Sequence, residues 1–152
     1  MNKLFAFCII AATVASPGAV QAQSLTFQSV ENTNDVVGGA RTDGTSFGGQ
    51  TTTGTVETVW ANGKKSSGTY KCIGVSMPPN DSIYNFRTVC NTESAEGASS
   101  TIWGCTAPSK ETKETHCTGW TFGKSGIYAG RRGTMTFLGT EGKGVGTGLW
   151  GK

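Results

Sequence analysis

The sequence predicts an all-β protein, one domain of about eight short strands forming a barrel or a sandwich. Beyond residue 22 no apolar spacing follows the 3.6-residue period of a helix. Short alternating runs recur at roughly 8–15-residue intervals, separated by Gly, Asn, Asp and Pro. The stretch Cys117–Gly139, CTGWTFGKSGIYAGRRGTMTFLG, sets Gly123, Gly126, Gly130 and Gly133 among Trp120, Phe122, Ile127, Tyr128, Met135 and Phe137. Glycine admits close backbone approach, and aromatic residues suit a half-buried pleated surface. That stretch reads as strand, tight turn, strand, and it points to a barrel.

The N-terminus carries Lys3, an apolar run from Leu4 to Val14, and Val20-Gln21-Ala22. A basic start, a short apolar segment and a small-x-small ending predict a signal peptide over residues 1–22, cleaved after Ala22. The apolar run is too short to span a bilayer, and Cys8 inside it lies too early for lipid attachment. The expected mature chain is residues 23–152, a single domain with room for one core. It keeps Cys72, Cys90, Cys105 and Cys117, an even set that predicts two disulfides in a periplasmic or secreted protein. Sequential pairing, Cys72 with Cys90 and Cys105 with Cys117, is favoured because each pair lies symmetrically about a loop. The nested alternative, Cys90–Cys105 with Cys72–Cys117, also gives one symmetric hairpin. A mature balance of 12 basic against 10 acidic residues argues for neither nucleic acid nor an anionic membrane.

In chain order, Leu25 to Val30 alternates as a first strand and Glu31 to Asp35 reads as a turn. Val36 to Gly54, rich in Gly, Thr and Ser, reads as a long surface excursion containing a short strand. Thr51–Trp60 and Lys65–Val75 flank Asn62-Gly63, a strong hairpin signal for a type I′ turn. Pro78-Pro79 ends the second arm. Ile83 to Asn91 is a strand with Tyr84, Phe86, Thr88 and Cys90 on one face and Arg87 on the other. Ser100 to Thr106 returns with Trp103 and Cys105 on a common face, and Gly144 to Trp150 is the last strand.

The segment GKSGIYAGRRGT (Gly123–Thr134) resembles the glycine signature of small exported bacterial proteins in the allene oxide cyclase-like superfamily, whose fold plant dirigent proteins share. ANGKKSSGTYKC (Ala61–Cys72) and the pair WGC…HC (Trp103–Cys117) are similar to the same group, so the resemblance covers roughly Ala61 to Trp150. It implies a closed eight-stranded antiparallel barrel with an interior that can hold a ligand. It does not imply cyclase activity, because members of one fold differ in chemistry. The cyclases' catalytic carboxylate and asparagine have no assignable counterparts here. The glycine motif is architectural.

Gly123-Lys124-Ser125 mimics the end of a phosphate loop, but Thr118 stands where that pattern needs glycine. His116 is the single histidine, which excludes a multi-histidine metal site, and no metal or other cofactor is expected. The aromatic set Trp60, Tyr70, Tyr84, Phe86, Trp103, Tyr128 and Phe137 forms either a packed core or an apolar cavity with polar tips. Glu57 and Arg87 are either outward-facing or the charged groups of that cavity. Inside it, Glu57 could serve as acid or base.

The leading expectation is a barrel that binds a small apolar or aromatic molecule. An isomerase, cyclase or lyase using one cavity acid or base is the second. A structural or interaction protein with a filled core, able to form a homo-oligomer, is the third. A buried carboxylate in a cavity favours the enzyme, an apolar cavity the binder, and a filled barrel the third.

Overall fold

A computed structural model describes residues 22–40, 42, 46–76, 84, 86–106 and 113–151. Eight strands follow in order: β1 (Gln23–Ala40), β2 (Ser46–Trp60), β3 (Lys65–Ser76), β4 (Phe86–Ser94), β5 (Gly97–Cys105), β6 (Glu114–Gly123), β7 (Arg132–Thr140) and β8 (Lys143–Trp150). Each pairs antiparallel with the next, and β8 returns to β1, closing the barrel. The expected leader, apart from Ala22, lies outside the described residues, as do Pro78 and Pro79. No helix among the described residues is long and apolar enough to cross a membrane.

Direct partners traced from Gly38 run through Gly48, Ser76, Phe86, Cys105, Cys117, Phe137 and Gly146 to Phe27. The path returns eleven residues down β1 (38 − 27), one of them inserted where the β1–β2 register shifts between Glu31 and Thr33. Such a stagger requires tilted strands and a lumen wide enough for side chains or a ligand.

The N-terminal third is more regular than its composition suggests. Residues 31–35 are strand, not turn, and residues 36–40 and 46–54 are strand rather than a loose excursion. β1 continues to Ala40 and β2 begins at Ser46. The irregularity beside Asn32 breaks the two-residue alternation, and the run beyond it is poor in apolar anchors. The Asn62-Gly63 hairpin forms, but Gly63 alone has positive φ (80°), so the turn is not type I′. Asn62 Oδ1 instead accepts a hydrogen bond from the Lys64 N–H at 3.0 Å.

Both disulfides are sequential, Cys72–Cys90 across β3–β4 and Cys105–Cys117 across β5–β6. In each the two cysteines are direct cross-strand partners. Their side chains point inward, so the bridges belong to the lumen wall.

One end of the barrel is filled. Leu25, Trp60, Tyr128, Met135 and Trp150 form its buried cluster. Tyr128 comes from a single 3-10 turn, Gly126–Tyr128, between β6 and β7. Its ring stacks on Trp60 at 6.0 Å and tilts against Trp150 at 5.2 Å, while the Arg131 guanidinium covers Trp150 at 5.7 Å. Gly123 is required beside it, because a Cβ there would run into the Tyr128 backbone. Lys64 pairs with Glu96 at 2.5 Å on the same end. The hydrogen bond from Lys64 is the main cause holding the Glu96 carboxyl below its ordinary value, against a smaller opposing push from burial.

Candidate functional site

The other end is hollow. Strand alternation sends every second side chain inward, and these line a cavity of about 1000 Å³. It reaches from Phe27 and Phe137 to the upper part of the β1–β2 hairpin at Val36 and Phe47.

The lumen stays open because each large ring lies against an inward-facing glycine on a neighbouring strand. A Cβ at Gly74 would meet the Phe86 ring, one at Gly119 the Trp103 ring, and one at Gly146 the Phe27 ring. Gly144 leaves space for Phe137 in the same way, helped by Gly139 on the ring's own strand, and Gly54 for the hydroxyl end of Tyr70. A ring set over a glycine covers the wall of the sheet instead of crossing the lumen. Phe27 and Phe137 are stacked with centroids 6.4 Å apart, and Trp103 tilts against Phe137 at 6.1 Å, giving one continuous aromatic wall.

Polar groups stand among the rings. Glu31, Gly54, Tyr70 and Thr92 are successive direct partners on β1 to β4. With no side chain on Gly54, the Tyr70 hydroxyl reaches across toward Glu31. Burial raises the Tyr70 hydroxyl above its ordinary range, and the Glu31 carboxylate adds to the rise. Thr52 donates to Asn34 Oδ1 at 3.4 Å higher on the same wall. At the rim Lys113 and Glu141 form an exposed ion pair at 3.1 Å. No group of three His, Cys, Asp or Glu side chains able to hold a metal occurs among the described residues.

Of the residues singled out from sequence, Tyr70, Phe86, Trp103 and Phe137 meet around this cavity with all four cysteines. Trp60 and Tyr128 do not reach it; they plug the filled end. Tyr84 does not reach it either. A Cβ built on the outward face of Gly104 would sit 3.0 Å from its ring, so that ring covers the outside of β5. Glu57 and Arg87 occupy exposed positions out of phase with the lining residues and point outward. The cavity carboxylate is therefore Glu31, not Glu57. Phe27 and Glu31 were missed, although both continue the alternation Leu25, Phe27, Ser29, Glu31; reading residue 31 as a turn hid it. Asn34 was missed because the irregularity beside Asn32 reverses the facing beyond it.

No protein-family model matches the chain, and no curated protein matches it.

Proposed function

We propose that this is an exported carrier barrel that takes a small apolar or aromatic molecule into its lumen. The carrying observation is the wall of rings over glycines: Phe27, Phe86, Trp103 and Phe137 lie along the wall of a cavity of about 1000 Å³ instead of crossing it. A flat apolar ligand would gain roughly 25 cal/mol for each Å² it removes from water, and hydroxyls such as Thr52 and Tyr70 would orient it. Export is supported by two disulfides and by the basic-then-apolar N-terminus.

A screen of neutral aromatic and terpenoid compounds tests this. Binding quenches tryptophan fluorescence, and Trp103→Phe removes most of the quenching while retaining the affinity. A ligand at a hundredfold excess over its Kd raises stability by about 2.7 kcal/mol. A screen with no stabilising compound would refute the carrier reading.

The Glu31–Gly54–Tyr70 row favours a second reading, an isomerase, cyclase or lyase with Glu31 as acid or base. Glu31 is only half-buried, which keeps this reading second. Under it, Glu31→Gln abolishes turnover and leaves ligand affinity intact. Loss of affinity without any turnover in the parent returns the cavity to binding alone.

A further inference from the structure

The outer wall carries a feature that the cavity does not use. Ile73, Val89, Ile102 and Trp120 are successive direct partners across β3, β4, β5 and β6 and point outward. They are 63%, 50%, 53% and 68% exposed. A solvent-facing apolar row of four, roughly a few hundred Å² in extent, is the size at which a surface patch marks a contact site.

We infer that this face joins two copies of the chain about a two-fold axis lying along the strands between β4 and β5. The two halves of the face differ in chemistry in a way such an axis matches. The β3–β4 half is aliphatic and cationic, with Ile73 and Val89 flanked by Lys71 and Arg87. The β5–β6 half is aromatic, with Trp120, Phe122 and the Tyr84 ring over Gly104. Rotation sets Val89 over the partner copy's Ile102 and Ile73 over its Trp120. It also sets Lys71 over the other Phe122 and Arg87 over the other Gly104 and Tyr84. Cations then meet ring faces, and no two like charges meet. Each contact occurs twice, as an isologous interface requires.

The curvature of the barrel suits this arrangement. Two convex walls come closest at the axis and part on either side. The short Val89 and Ile102 flank the axis and Gly104 leaves room there for the longer Arg87, while the long Lys71, Trp120 and Phe122 occupy the outermost strands. Polar neighbours such as Asn91 and Ser100, joined at 2.5 Å, enlarge the footprint toward the roughly 800 Å² per partner of a stable interface. A lone Trp in such a position is the residue type that dominates binding energy. This inference is independent of what the lumen holds.

Sedimentation velocity on the purified protein over a dilution series, alongside the same series for Trp120→Asp, tests it. The expected result is a dimer that dissociates on dilution in the parent and a monomer for Trp120→Asp at every concentration. Val145→Asp, which alters an exposed apolar residue on β8 outside the row, should dimerise like the parent. Ile102→Asp gives the same reading as Trp120→Asp should the latter fail to fold. A monomeric parent, a trimer or larger ring, a dimer that survives the row variants, or equal loss in Val145→Asp would each overturn the proposal. A parent that stays monomeric yet holds a glycan, lipid or unrelated protein on this face overturns it as well.

Discussion

Glycines in this barrel act through what lies above them, and the consequence differs from one to the next. At Gly74 an added methyl meets the tip of the Phe86 ring, which is free to swing into the lumen. At Gly68 it meets the Glu93 backbone carbonyl, which cannot move without opening the β3–β4 ladder. Gly74→Ala should therefore keep most of its stability and lose ligand affinity as the ring enters the cavity. Gly68→Ala should lower the melting temperature, by an overpacking cost of about 1–3 kcal/mol, without a specific effect on affinity. Equal thermal shifts in the two would contradict the ring-over-glycine account. Glu96 makes a second separable contribution. Its carboxyl is held below the ordinary 4.5 by Lys64, so the folded state binds that proton less readily than the unfolded chain. The stability from the pair is present above the unfolded value and is lost as pH falls through the lower folded value. Melting curves of the parent and Glu96→Gln should thus differ at neutral pH and converge in acid. A gap that widens in acid would show that the pair is not the cause.

Paired elements rather than single strands explain how so little apolar sequence holds a hollow barrel. The two disulfides tie β3 to β4 and β5 to β6, all in the wall around the cavity, where few side chains pack against one another. Reducing them should cost about 2–5 kcal/mol for each bridge, the usual range for a small disulfide-stapled domain. A chain spanning residues 23–152, denatured without reductant, should show no titratable thiol until reductant is added; two reactive cysteines would remove the framework. The sequence carried this part well, because alternation, turn glycines and symmetric cysteine spacing are local signals. β3, β5 and β8 fall close to where their alternation puts them. Residues 31–54 failed for a physical reason. Strands facing an empty lumen need no apolar row, so Thr51-Thr52-Thr53-Gly54 resembles a loop while forming wall. Glu31 shared that fate. Facing was the other loss: Tyr84 alternates with Phe86, yet lies on the outside because residue 84 precedes β4 and its ring is not bound by the strand's phase.

A barrel filled at one end and hollow at the other should answer mutation differently along its axis. Trp60 sits in the filled end with its ring on Tyr128 and its residue 6% exposed. Truncating it leaves a void that the tilted strands cannot collapse, so Trp60→Ala should cost about 3–5 kcal/mol. The tip of the Phe86 ring lies against Gly74, and the residue lines the cavity. It has given up only part of its contact with water, and its removal enlarges a space that already exists. Phe86→Ala should cost well below that core value, on the order of 1–2 kcal/mol. Chemical denaturation of the two variants measures the contrast directly. The comparison also separates a site from a core, because a ligand that stabilises the parent should rescue Trp60→Ala by the same increment and Phe86→Ala by less. The plug variant keeps its binding wall, whereas the wall variant has lost a ring the ligand would rest on. Equal losses near the full core value in both would mean that Phe86 packs on both faces. The lumen would then be filled in solution, and the carrier reading would give way to a structural one.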